Sequence, residues 1–176
     1  MALHAVLFRP LIPSNTGNIG RTCLGFGARL HLIRPLGFEL NEKEVKRAGL
    51  DHWDQVDLAV HESWQAFADS TLKDTFTTAF LISKRLKLGS TPIAEVDFSP
   101  PTGPLARGVA LVFGNEVDGL TGLDEDARKS LPALYLPMRD EVIRSYNLSN
   151  AVAMTLYEVN RQRTIAATAA AATPER

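Results

Sequence analysis

The chain has 176 residues, of which 45% are apolar, 22% charged and 7% aromatic. This is the size and composition of one globular domain, able to bury roughly 70% of the surface its unfolded form exposes, which excludes a chain that is disordered as a whole. Nineteen basic against 20 acidic residues leave a net charge of -1, so bulk charge points to no nucleic-acid partner, although a local field can still capture a phosphate backbone.

The first apolar run, Ala5 to Phe8, follows His4 and is closed by Arg9-Pro10. Without a basic leading segment or a small-residue cleavage site it reads as a buried strand, not an export signal. A helix is expected from Thr16 to Phe26, with Ile19, Cys23 and Phe26 on one face, Asn15 or Thr16 as its cap and Gly27 ending it in a left-handed conformation. Gly25-Phe26-Gly27 lacks the third glycine of a dinucleotide fingerprint and precedes a strand, so it is no nucleotide loop. Strands follow at Leu30 to Ile33, Leu58 to Val60, Thr78 to Ile82, Val109 to Phe113 and Tyr135 to Leu136. Between them helices are expected from Glu42 to Arg47, Ser63 to Phe67 and Asp124 to Leu131, with a long irregular connection from Leu88 to Gly108. The last helix, Asn147 to Arg161, carries Leu148, Val152, Leu156 and Val159 as an apolar stripe. Residues 1–163 make one domain, and the alanine-rich tail 164–176 is expected to be frayed or disordered. The alternation of strands and helices predicts an α/β fold, a parallel sheet covered on its faces.

Cys23 is the single cysteine, which excludes an internal disulfide framework or a four-cysteine zinc site and fits a reducing compartment, the cytoplasm. His4, His31, His52 and His61 fall on different elements, so a metal site would have to be assembled entirely by folding, and none is expected. No run approaches the roughly 18 apolar residues of a membrane span. There is no Walker A sequence and no Gly-x-Ser-x-Gly elbow.

Three polar clusters follow strands at positions that propensity alone does not explain. Pro13-Ser14-Asn15-Thr16-Gly17-Asn18-Ile19-Gly20-Arg21 pairs a helix start with a nearby guanidinium, a ready anion site. Phe113-Gly114-Asn115-Glu116-Val117-Asp118-Gly119 runs a buried strand straight into two glycines, and Gly114 lets a ligand or another backbone approach closely. Tyr135-Leu136-Pro137-Met138 and Arg144-Ser145-Tyr146-Asn147-Leu148-Ser149-Asn150 crowd more polar side chains around the last helix start than one cap requires.

Together with Pro35-Leu36-Gly37-Phe38 and Arg47-Ala48-Gly49-Leu50-Asp51, these clusters resemble the TrmL/YibK-type SPOUT methyltransferases, over Leu3 to about Gln162. The resemblance implies a single-domain α/β-knot with a deep C-terminal trefoil knot, a homodimer, and 2'-O-ribose methylation of the wobble cytidine or modified uridine of tRNA, in leucine isoacceptors. It implies S-adenosyl-L-methionine as methyl donor, S-adenosyl-L-homocysteine as product and no metal. Carried over residue by residue, the cofactor positions are Leu81, Gly114, Leu136 and Ser145, and the catalytic positions are Arg21, Asn15 and Asn150. For the tRNA anticodon stem-loop, Lys43, Lys46, Arg47, Lys84, Arg85 and Arg144 are the candidate contacts. Two other readings are an enzyme of this kind acting on ribosomal RNA and an RNA-binding knot protein without catalysis. Retention of Arg21, Ser145 and Asn150 argues against the second.

Overall fold

The computed structural model describes residues 2–40, 52–73, 78–83, 89–99, 103–139 and 142–172. In chain order its main elements are β1 (Ala2–Phe8), α1 (Pro13–Phe26), β2 (Arg29–Ile33), β3 (Leu58–His61), α2 (Trp64–Phe67), β4 (Thr78–Ser83), β5 (Thr91–Pro92), α3 (Pro104–Arg107), β6 (Gly108–Phe113), α4 (Glu125–Ser130), β7 (Ala133–Tyr135) and α5 (Leu148–Ala171). The strands form one sheet in the order β3-β2-β1-β6-β4-β7-β5, and every pairing in it is parallel. The expected parallel α/β sheet is therefore present.

Burial on both faces explains why the central strands read as unbroken apolar runs. On one face α1 and α5 cover Leu3, Ala5, Leu7, Leu30, Leu111 and Phe113, adding Ile19, Cys23, Val152, Leu156 and Val159. On the other, Trp64 and Phe67 of α2 pack with Val6, Phe8, Ile33, Leu81 and Val112. Because β6 is inserted between β1 and β4, the order of strands breaks from the order of sequence at the middle of the sheet. The carboxyl ends of strands at such a break form a crevice, the usual place for a ligand in an open α/β sheet.

Several boundaries differ from expectation. The first helix begins at Pro13, not Thr16: Ile12 is the N-cap, and proline supplies the helical φ at the first position without losing a needed N–H. Neither Asn15 nor Thr16 caps it; both side chains are buried inside the helix. Its end is as read, with Gly27 at φ 62 and ψ 33. The strand expected at Tyr135 to Leu136 lies at Ala133–Tyr135, and Thr91–Pro92 adds an edge strand too short to show a period. The helix expected over Glu42 to Arg47 falls outside the described residues. The last helix runs on through Ala171, so the start of the alanine-rich tail is regular helix, as the propensity of alanine favours.

Folding also gathers three of the dispersed histidines. His4 on β1, His31 on β2 and His61 on β3 form a hydrogen-bonded file, with His4 Nδ1 2.9 Å from His31 Nε2 and His31 Nδ1 2.9 Å from His61 Nε2. The edge of the Phe67 ring closes the file against α2. The arrangement that leaves no buried N–H without an acceptor has His4 donating to His31 and His31 to His61, so the partnerless Nε2 of His4 is a bare lone pair. Burial lowers the pKa of all three; for His31 the neighbouring His4, His61 and Arg29 add to it, and the value falls to about 3. The rings are neutral at pH 7. Among the described residues no group of histidine, cysteine and carboxylate side chains could hold a metal ion.

Candidate functional site

At the carboxyl ends of β6 and β4 lies a cavity of about 370 Å³, within the range of small-molecule pockets. Three chain segments build its walls: the turn after β6, the stretch after β7, and the start of α5, with Ile12 and Asn15 closing it from α1.

The turn after β6 is fixed by its own backbone. Asn115 and Gly119 exchange two N–H to carbonyl hydrogen bonds, of 3.0 and 3.2 Å. Asn115 Oδ1 also accepts from the N–H groups of Val117 and Asp118, at 3.0 and 2.6 Å. The chain folds back so tightly that a Cβ on Gly114 would lie 2.1 Å from the carbonyl carbon of Gly119. Glycine is required at Gly114, and this crossing presents bare backbone to the cavity.

Glu116 reaches from this turn across to the start of α1. Its carboxylate accepts from the N–H groups of Leu11 and Ile12, at 2.9 and 3.3 Å, and from Asn15 Nδ2 at 2.9 Å. Asn15 in turn accepts from Asn147 Nδ2 at 3.0 Å, and Asn147 Oδ1 accepts from Ser149 N and Oγ at the head of α5. One polar relay thus ties the start of α1 to two segments that lie more than a hundred residues later in the chain. Tyr146 donates to the carbonyl of Pro137, at 3.1 Å, and pins the head of α5 to the stretch after β7.

The rest of the wall is chiefly apolar, with Ile82, Phe113, Leu120, Leu136, Met138 and Leu148. Glu116 and Asp118 give it two carboxylates, and among the described residues Arg128 is its cation. Apolar walls, bare backbone edges and carboxylates suit a flat heterocycle carrying a cationic tail.

The structure places the expected site residues in two groups. Gly114, Leu136, Ser145 and Asn15 line the cavity. Leu81 does not: strand alternation turns it into the opposite core, beside Val112, and Ile82 and Ser83 take the wall. Arg21 and Asn150 are exposed on α1 and α5 and lie outside the wall. Arg144 is exposed beside Ser145, while Lys43, Lys46, Arg47, Lys84 and Arg85 lie outside the described residues. Glu116 and Asn147 stand within the motifs, but the motifs themselves assign them no site role. Their signal is an acid in the turn after β6 and more polar side chains at the head of α5 than its cap requires.

Comparison with known proteins agrees with this geometry. Residues 2–157 match the SpoU rRNA methylase family. A Lactobacillus gasseri protein named for RNA (cytidine(34)-2'-O)-methyl transfer is 44% identical over 165 residues, covering 93% of this chain and 82% of that one. A tRNA (cytidine(34)-2'-O)-methyltransferase of Yersinia pestis is 40% identical over 160 residues, covering 91% and 93%. A solved structure described for 2-OH methylation of C/U34 on tRNA is 40% identical, with a TM-score of 0.78 over 93% of this chain and 97% of that one. The chain belongs to the SpoU methylase family.

Proposed function

We propose that this protein transfers a methyl group from S-adenosyl-L-methionine to the ribose 2'-oxygen of the wobble nucleotide of tRNA, cytidine or modified uridine, in leucine isoacceptors. The observation that carries the reading is a cavity built from the Gly114–Gly119 crossing and the Glu116-Asn15-Asn147 relay, in a chain about 40% identical to named cytidine(34) methyltransferases over nine-tenths of its length. The fold is read as the family's trefoil-knotted form, acting in the cytoplasm as a homodimer whose site draws substrate contacts from both subunits. Exposed Met154 and Tyr157 on α5 supply apolar surface for that association. Among the described residues no helix is long and apolar enough to cross a membrane.

The cofactor supplies an electrophilic methyl on a sulfonium, whose positive charge disappears as the new bond forms. The chain's part is binding, alignment and charge. Gly114 and the backbone around Leu136 and Ser145 hold the adenosine, and the apolar wall keeps the reacting end partly dry, which favours loss of charge. Glu116 is committed to the N–H groups of Leu11 and Ile12 and to Asn15, so it fixes the cavity's shape and adds negative potential toward the cation. Asn15 uses both ends of its amide within the relay and positions the α1 segment rather than touching the reacting atoms.

Arg21 is assigned to the RNA side, where it steadies the developing alkoxide and the adjacent phosphate. A guanidinium offers donors and no acceptor, so it stabilises charge rather than removing the proton. Asn150, exposed on α5, is assigned to the same RNA side. Arg21→Ala is expected to slow single-turnover transfer about a hundredfold, on the order of 3 kcal/mol, with cofactor affinity unchanged. A parallel loss of cofactor affinity would move Arg21 into the cofactor's half of the site.

The in-cell test is a map of 2'-O-methyl nucleotides in RNA with and without the protein. Loss confined to the wobble nucleotide of tRNA supports the reading. Loss confined to ribosomal RNA replaces it.

A further inference from the structure

Arg9 directly follows β1 with φ 53, the one non-glycine residue in the left-handed region among the described residues. For an L-residue without a short polar side chain that conformation is strained, and glycine would adopt it freely. Strain of this kind persists where the surroundings enforce it and gathers at functional sites. The backbone is enforced by one hydrogen bond, from Arg9 N to the carbonyl of Ile33 at 3.0 Å. The side chain has no comparable structural employment. Its guanidinium carbon stands over the Phe8 ring, 4.8 Å from the centroid, and its Nε is shut off from water without a hydrogen-bond partner. Among the described residues no carboxylate pairs with it.

What Arg9 does touch is the rim of the cavity. A Cβ on Gly122, itself at φ +84, would come within 2.9 Å of Arg9 Nη1, so the guanidinium rests directly against that glycine. Gly122 is the residue after Thr121, which lines the cavity. Arg9 itself is not in the wall. A ligand confined to the cavity does not reach it, whereas a polymer crossing the rim does. A flat cation stacked on an aromatic face, with its two terminal nitrogens in no hydrogen bond or ion pair among the described residues, is suited to phosphate oxygens, which accept in the same planar geometry.

We propose that Arg9 binds a backbone phosphate of the substrate RNA beside the target nucleotide, holding the strand where it crosses the Gly119 to Gly122 turn. This rests on the RNA-methylating reading above and adds a positioning residue to it. Strain just after β1 is then what sets the guanidinium against the turn.

The test uses the full chain with Arg9→Asn, which tolerates the left-handed conformation without charge, Arg9→Gly, which also removes the strain, and Arg9→Lys. Binding of a tRNA transcript is measured across a salt series, beside cofactor affinity, KM, kcat and melting temperature. One lost phosphate contact is expected to make the log-log salt slope shallower by about 0.7 to 0.9 in the asparagine and glycine variants. The tRNA affinity should drop about tenfold and KM should rise to match, with kcat and cofactor affinity held. The lysine variant should recover the slope and only part of the affinity, because it keeps the charge and loses the fork. The glycine variant is expected to melt no lower than the parent, so a folding defect in the asparagine variant does not blur the result. An unchanged salt slope in the glycine variant overturns the assignment, as does a loss confined to cofactor affinity. Because the slope is read on binding alone, a shallower slope in a protein that methylates no tRNA supports this assignment while contradicting the substrate reading.

Discussion

The two ends of the central sheet solve the same problem with different chemistry. At the carboxyl ends of β6 and β7, amide and carboxylate groups join distant segments: Glu116 to Asn15, Asn15 to Asn147. Across β1, β2 and β3, three imidazoles join adjacent strands. The amide links of the first network do not titrate. The second rests wholly on rings that must stay neutral, since burial and the charge on neighbouring groups disfavour the protonated form. The Asn15 to Asn147 link of the site end should therefore be indifferent to pH, while the β1 to β3 end is conditional on it.

The largest expected effect separates the two directly. His31 falls from an ordinary value of 6.5 to about 3 on folding, a difference of roughly 5 kcal/mol at its full extent. With the folded pKa depressed, the unfolded chain binds more protons between these values, so this stabilisation is complete above about pH 6.5 and is lost progressively as the pH falls toward 3. By pH 5 the loss should be about 2 kcal/mol. Urea unfolding at a series of pH values measures it. In a His31→Leu variant the slope below pH 6.5 should flatten; a slope as steep as the parent's would remove the histidine file as its cause.

Next in size is Gly114→Ala. A methyl 2.1 Å from the Gly119 carbonyl carbon cannot be accommodated by a side-chain rotation, since both partners are backbone. The turn must open, with an expected cost of about 3 kcal/mol in stability and at least a hundredfold in cofactor affinity. Calorimetric titration at pH 5.5 and 8 should find the same loss at both. A strong pH dependence would mean that the two regions are coupled.

Smaller again is Asn147→Ala. It leaves Asn15 Oδ1 without its donor and Ser149 without its cap, and should destabilise the fold by about 1 to 2 kcal/mol. Asn147→Asp restores the cap but takes away the donor to Asn15, so it separates the two losses. If the aspartate variant, which keeps the cap and lacks the donor, is as stable as the parent and binds cofactor equally well, the relay has no role in shaping the cavity.

The contrast also marks what the amino-acid sequence discloses. Strands buried on both faces, such as Val109 to Phe113, announce themselves by composition, and Gly27 was legible as a left-handed helix end because helix and strand signals meet there. The cavity's position was legible too, since each polar cluster follows a strand. What stayed hidden needs three dimensions. Nothing local tells that Glu116 will accept from a residue a hundred positions earlier. The histidine file depends on parallel register, in which Val6 opposes His31 and Ile33 opposes His61, a stagger of two residues at each step. Whether Leu81 or Ile82 faces the ligand turns on which sheet face the cavity occupies. Thr91–Pro92 is too short for any periodicity to show.

The most direct test of the central claim is transfer by the purified protein to defined RNA. A leucine tRNA transcript carrying ribose at the wobble nucleotide is compared with one in which that single nucleotide is 2'-deoxy, each with S-adenosyl-L-methionine labelled in its methyl group. The expected result is stoichiometric label in the first and none in the second, with tRNA binding equal in both. Equal labelling of the two transcripts would place the methyl elsewhere and contradict the account.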